Sequence, residues 1–133
     1  MTYTTLLSAI HNKVAGVTAI KEVFDYSARN FTKYPVACII GAEFNDEDLD
    51  NKTKWRKWDF SIHILSTIEV DPAGTETSMN GIIESIMDAF ASDYTLGGTC
   101  ADTKITGVRG WLERETDVRI TEVKLSCFDS KAI

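Results

Sequence analysis

Residues 54–67 have the sequence KWRKWDFSIHILST, in which apolar and polar side chains alternate. The apolar set is Trp58, Phe60, Ile62 and Ile64, and the polar set is Lys57, Asp59, Ser61 and His63. Because successive side chains of a strand point to opposite faces, this period of two predicts a strand over Lys54–Thr67. One apolar and one polar face are typical of a sheet that is buried on one side only.

The residues before this strand predict its partner. Tyr34 and Pro35 introduce the apolar run Val36–Phe44, and proline restricts the backbone at the entry to a strand. The intervening residues Asn45–Thr53 are polar and acidic, which indicates a loop. We therefore predict a long β-hairpin made of Val36–Phe44 and Lys54–Thr67.

Two segments place apolar residues at helical spacing. The first is Met1–Ala15, which a threonine near its start can cap and Gly16 can end. The second begins at Asp71 and Pro72, a favourable N-cap and first helical position. Its apolar stripe consists of Met79, Ile82, Ile83, Ile86, Met87 and Phe90, which is wide enough to pack on a sheet.

Three further strands are predicted over Ile20–Tyr26, Thr99–Val108 and Val118–Phe128. The charged residues Arg109–Asp117 indicate the turn between the last two strands. Val118 and Ile120 are out of phase with the apolar residues that follow them, so we expect a β-bulge near Thr121 and Glu122.

The predicted order of elements is helix, three strands, helix, two strands. Hairpins dominate this order, and long helical crossovers are few. It favours a single α+β domain over residues 1–133, with an antiparallel or mixed sheet and two helices packed on one face.

Composition excludes several classes of function. The 133 residues contain 20 acids and 14 bases, a net charge of −6, and sequence-independent nucleic-acid binding needs cations that displace phosphate counterions. No apolar run approaches the roughly 20 residues that span a bilayer, and residues 1–14 lack the early positive charge of a signal peptide. The odd set Cys38, Cys100 and Cys127 has neither metal nor redox spacing. It indicates buried thiols in a reducing compartment, although a disulfide stays open.

The acidic triplet Asp46, Asp48 and Asp50 has the D-x-D-x-D spacing that begins an EF-hand calcium loop. Asn51 and Lys57 stand where that loop needs its glycine and its bidentate glutamate. We therefore expect a solvated hairpin tip. A weak cation site and an acidic loop that contacts a partner stay open as alternatives.

Basic and aromatic residues alternate just after the triplet: Lys52, Lys54, Trp55, Arg56, Lys57 and Trp58. Such a mixture can bind single-stranded nucleic acid. The preceding acids make the local charge nearly neutral, so a solvated strand or a subunit interface anchored by Trp55 is the better interpretation.

No constellation predicts catalysis, a cofactor or a metal. His11 and His63 have no acidic or cysteine partner nearby in the sequence, and Gly97-Gly98 lacks the lysine of a phosphate loop. The alternating charges between Glu113 and Arg119 are typical of a solvated surface. We expect a protein that is not an enzyme.

The order of these features resembles the tail terminator proteins (tail-completion or minor tail proteins) of long-tailed bacteriophages. The resemblance is carried by Tyr34-Pro35 before an apolar strand, by WDFSIHI at residues 58–64, and by DYTLGGT at residues 93–99 after an Ile/Met-rich helix. It covers nearly the whole chain. Neck proteins that join head to tail share much of the same pattern.

The resemblance implies a virion structural protein without catalytic residues or cofactors. Such proteins form a six-membered ring on the head-proximal end of the tail tube, stop its polymerisation and offer a docking face to the head connector. The implied partners are copies of the chain itself, the tail tube protein and the head–tail connector. The implied location is the virion tail, and the host cytoplasm during assembly. A neck connector of the same fold, or less favourably a ligand-binding or enzymatic α+β domain, is the alternative.

Charged loops on a rigid sheet often carry partner recognition. We therefore place the ring and partner contacts in the two longest charged segments and beside them, at Asp46, Glu47, Asp48, Asp50, Trp55, Arg56, Arg109 and Arg114. The acidic loop matches no motif of the family. In an assembled ring, acids that face the lumen would repel phosphates, so that DNA passes without specific binding.

Overall fold

The computed structural model describes residues 3–28, 31, 33–48, 53–68, 72–113 and 116–132. In chain order the elements are α1 Tyr3–Ala15, β1 Glu22–Phe24, β2 Val36–Asp48, β3 Thr53–Thr67, α2 Pro72–Ser92, β4 Asp102–Glu113 and β5 Val118–Ala132. The five strands form one sheet in the order β1-β2-β3-β5-β4. β1 runs parallel to β2, and the other neighbours are antiparallel. The predicted α+β class with a mixed sheet is confirmed.

Both helices pack on one face of the sheet, as predicted. The helices contribute Leu6, Ile10, Val14, Met79, Ile82, Ile86 and Phe90 to the core. The strands contribute Ala37, Ile39, Phe60, Ile62, Ile64, Val123, Leu125 and Cys127. Ile62 lies between Ile39 and Val123 in the strand register, so the core side chains of three strands share one face. Met87, predicted to belong to the apolar stripe of α2, is instead 43 % exposed.

The first turn of α1 is fitted to the sheet at Gly41. The Tyr3 ring stacks against Phe60, with ring centroids 5.7 Å apart, and lies 5.5 Å from the Trp58 ring. A side chain at position 41 would collide with the Tyr3 ring. The absence of a side chain at Gly41 therefore allows the Tyr3 ring to lie directly against β2.

The predicted loop Asn45–Thr53 is too long. β2 continues to Asp48, and Asn45–Asp48 pair with Lys57–Lys54 of β3. Residues 49–52 lie outside the described part of the chain. β5 adds a third strand to this region, because Phe128–Ala132 pair with Lys57–Thr53. Pairing on both sides of β3 explains why polar residues continue the strand, since the ladder satisfies their backbone groups without an apolar face.

The predicted turn Arg109–Asp117 is also too long. Arg109–Glu113 belong to β4 and pair with Glu122–Val118. Asp117, with φ of 52°, lies in the turn itself. At the other end of the sheet, the predicted strand Ile20–Tyr26 shortens to β1, which pairs only with Val36–Cys38 of β2.

The bulge predicted near Thr121 and Glu122 is wrong. β5 pairs without interruption along β3, and the bulges lie in other strands, at Ala42 of β2 and Thr106 of β4. Ile120 is out of phase with Val123 because it faces away from the helices, where it pairs with Leu65 and Trp111. That face is therefore not uniformly polar.

All three cysteines are buried and free, as the buried-thiol interpretation predicted. Positive φ at Leu96, Gly97 and Gly98 forms the turn predicted after α2. Neither described helix combines the length and apolarity that a membrane span needs.

Candidate interaction surfaces

The sheet has one face without a helix, which we call the outer face. Since α1 and α2 pack on the opposite side, the outer face of β3, β5 and β4 carries the polar residues of the alternating pattern. The strand register brings together His63 of β3, Glu122 of β5 and Arg109 of β4 in one row across three strands. Together with the neighbouring Trp111, these residues form the outer-face cluster.

Glu122 is the centre of the outer-face cluster. Its side chain is 9 % exposed and accepts hydrogen bonds from His63 Nε2 at 3.1 Å and Arg109 Nε at 2.9 Å. Burial opposes ionisation, but the hydrogen bonds from His63, Arg109 and Ser61 outweigh it, so the pKa of Glu122 is below its ordinary value. The carboxylate is therefore charged at neutral pH and fully engaged by its neighbours.

Trp111 covers one side of the same cluster. The Arg109 guanidinium lies 5.3 Å from the centroid of the indole ring, a cation–π geometry. The His63 ring meets the indole edge-on at 6.1 Å. The arrangement places an aromatic ring beside paired charges at the surface, a mixture that suits contact with another protein.

The hairpin end comprises Phe44–Asp48 of β2, Thr53–Trp58 of β3 and Phe128–Ala132 of β5. On the side of the helices, Arg56 donates to both carboxylate oxygens of Asp46, at 2.9 and 3.2 Å. The guanidinium also lies 5.3 Å from the Phe44 centroid, and Phe44 packs on Trp58 at 4.3 Å. The hydrogen bond from Arg56 to Asp46 raises the pKa of the arginine. Asp46 is thus an ion-paired group rather than a free acid.

Of the eight predicted interface residues, those whose side chains the structure describes are Asp46, Trp55, Arg56 and Arg109, and these four do not form one site. Trp55 lies on the outer face of the hairpin end and stacks on Phe128 at 5.6 Å, on the side opposite Asp46 and Arg56. Arg109 lies on β4, at the far edge of the sheet, and its side chain is 68 % exposed. Glu47 and Asp48 lie in β2, where they pair with Trp55 and Lys54 of β3. Asp50 and Arg114 lie outside the described residues.

The partner of His63 is not evident from the sequence. Glu122 is 59 positions away, and the two meet because β3 and β5 are antiparallel neighbours. The sequence does carry one indication: His63 and Glu122 each alternate with the core residues of their strand, so both face away from the core. That signal becomes useful only when the strand order is known.

A groove of about 820 Å³ separates the two helices. It is lined mainly by small residues such as Ala9, Gly16 and Ala89. Lys13 Nζ donates to Asp93 at 2.9 Å beside the groove, and this bond lowers the pKa of the Asp93 carboxyl. Among the residues that the structure describes, no group of His, Cys, Asp and Glu side chains is arranged to hold a metal.

Comparison with known proteins adds a likeness in fold. Neither a protein family model nor a curated protein sequence matches the chain. The chain is similar to one chain in the structure of the virion of a native gene transfer agent (GTA) particle, with a TM-score of 0.57 and 8 % identity. The similarity covers 95 % of each chain. At this identity it shows a shared fold.

Proposed function

We propose that this chain is a structural protein of a phage-like virion. The observation that carries the proposal is the likeness in fold to a chain of a GTA virion over 95 % of both chains. The resemblance of the sequence motifs to phage tail terminators supports the same class independently, because it rests on residues rather than on fold.

Within such a particle, the chain acts as the tail terminator. It forms a ring on the head-proximal end of the tail tube, stops polymerisation of the tube and provides the docking face for the head connector. When neighbouring copies contact each other through two different surfaces, they form a closed ring if the rotation from copy to copy adds up to a full turn. The positive-φ turn of Leu96, Gly97 and Gly98 after α2 supports this role, since it lies where the family pattern has its Leu-Gly-Gly turn.

The chain carries out this role without catalysis. In the described chain, the His63 imidazole is hydrogen-bonded to the Glu122 carboxylate rather than to a hydroxyl or thiol. A nucleophile bonded to a base that a third group orients is the arrangement that covalent catalysis needs. The outer-face cluster instead pairs its charges with one another, which supports a surface for contact.

DNA passes through the assembled ring without specific binding. A net charge of −6 per chain is unfavourable for binding phosphates. The partners are therefore other protein chains: further copies, the tail tube protein and the head–tail connector.

The proposal is tested by tube assembly with the purified tail tube protein of the same particle. When this chain is added, the tubes should be shorter and narrowly distributed in length. A tag on this chain should be visible at one end of each tube by electron microscopy. The tube protein alone is the control, and tubes of unchanged length without an end label would contradict the terminator role.

A second arm separates the terminator from the neck connector. The tagged chain is offered separately to isolated tubes and to isolated heads that carry the connector. A terminator labels tube ends and recruits heads only afterwards, whereas a neck protein labels heads first. Binding to neither particle would overturn the virion proposal.

A further inference from the structure

The sheet leaves two edges open in the described chain. β4 is the last strand on one side. On the other side β1 covers only Val36–Cys38, so Ile39–Asn45 of β2 have no described strand beside them. Unpaired backbone N–H and C=O groups along a strand edge are a template for another strand.

The two open edges have compatible directions. Each step from β2 to β3, from β3 to β5 and from β5 to β4 is antiparallel, so β2 and β4 run in opposite directions. If a second copy lies beside the first in the same orientation, β4 of one meets β2 of the other as an antiparallel pair. Because the contact joins two different edges, it repeats from copy to copy.

The side chains at the two edges are complementary at the same level of the sheet. Glu43 of β2 is in register with Asp59, Asp59 with Ser126, and Ser126 with Lys104 of β4; both end residues are exposed. Edges that meet without a shift therefore place Lys104 opposite Glu43 of the next copy, on the outer face. Opposite charges directly across a strand pair are favourable.

Apolar side chains are also exposed at both edges. Phe44 on β2 is 43 % exposed, and Val108 and Leu112 on β4 are 42 % and 48 % exposed. In the unshifted arrangement Phe44 is level with Thr103 of β4 and would lose solvent contact. Burial of part of a large ring adds to the backbone bonds.

We propose that the Asp102–Lys104 edge of β4 pairs with the Glu43–Asn45 edge of β2 in a neighbouring copy, so that the sheet continues from subunit to subunit. The inference rests on the proposed virion function and specifies the contact between copies. The bulges at Ala42 and Thr106 interrupt both edges, so each pairing is short. A short pairing is weak alone and gains strength when a tube end holds the copies side by side.

Charge exchange tests the pairing. Glu43→Lys and Lys104→Glu should each weaken self-association about five- to tenfold, since each replaces an exposed attraction by a repulsion. The double variant carries both reversals on every copy and should restore association. Lys124→Glu is the matched control, because Lys124 is exposed on the same face but belongs to the interior strand β5. Sedimentation over a concentration series measures self-association of the free protein. Sedimentation together with tubes measures the association of the same variants at tube ends.

Crosslinking gives a second readout that does not depend on affinity. The variant with Glu43→Cys and Lys104→Cys should form a ladder of covalent oligomers under mild oxidation on tube ends, whereas each single variant should not. A ladder without any tube association would retain the edge pairing and overturn the virion role. Tube-end binding with no ladder and no effect of charge exchange would retain the virion role and overturn the edge pairing.

Discussion

The part of the sheet under the helices and the hairpin end share the same strands but are stabilised differently. Phe60 under the helices is 1 % exposed, whereas Phe44 at the hairpin end is 43 % exposed. The first region is held by apolar burial, and the second by backbone pairing on both sides of β3. The comparison teaches that backbone pairing with neighbouring strands decides how far a strand extends. The free energy of unfolding depends mainly on the apolar surface that the helices bury.

The largest expected effect on stability is at Phe60, and the same substitution at Phe44 should have a much smaller effect. Phe60→Ala should lower the free energy of unfolding by about 3–5 kcal/mol, because it leaves a cavity under α1. Phe44→Ala should lower it by about 1 kcal/mol, since much of that ring is already in water. Urea unfolding followed by tryptophan fluorescence measures both. Equal losses would show that the hairpin end belongs to the core.

A smaller effect is expected at the outer-face cluster. Glu122→Gln removes the charge that His63 and Arg109 share and should cost about 1–2 kcal/mol at neutral pH. The pKa of Glu122 is lowered in the folded chain from its ordinary value of 4.5. Its contribution is therefore present above pH 4.5 and is lost as the pH falls through the folded pKa. Unfolding free energies measured from pH 7 to pH 3 should converge for the two chains, and a constant gap would contradict this account.

The smallest effect is expected at the hairpin end itself. Asp46→Asn removes the partner of Arg56, but both groups are exposed enough for solvent and salt to screen their attraction. The urea midpoint should change by no more than the error of the measurement, and in the same way at low and high salt. A large decrease that salt suppresses would show that the ion pair, rather than the ladder, holds these strands together.

The sequence predicts what the core dictates. The alternation through Phe60, Ile62 and Ile64 identifies the longest strand and its buried face, and Pro72 marks the start of α2. It does not predict the strand residues Asn45–Asp48, because polar residues in a ladder leave no hydrophobic pattern. Ile120 is misleading for the related reason that an apolar side chain can lie on the outer face.

The candidate surfaces are predictable only in part. Charge alone identifies Asp46 and Arg56 as candidates, but their mutual pairing depends on the register of the hairpin. The sequence does not give that register, because it predicts a loop where Asp46 pairs with β3. The sequence assigns Glu122 only to a bulge and to no site, because its partners come from two other strands. The roles of Trp55 and Arg109 at a partner interface stay predictions, as do those of the acids around Asp48.

The two bulges have a geometric consequence. Ala42 and Thr106 lie on opposite margins of the sheet and both flank the row that contains Phe60. A bulge bends its strand and increases the local twist, so the sheet coils most strongly along that row. If copies pair through these edges as proposed, each copy is rotated relative to the one before it, and that rotation sets the number of copies in the ring.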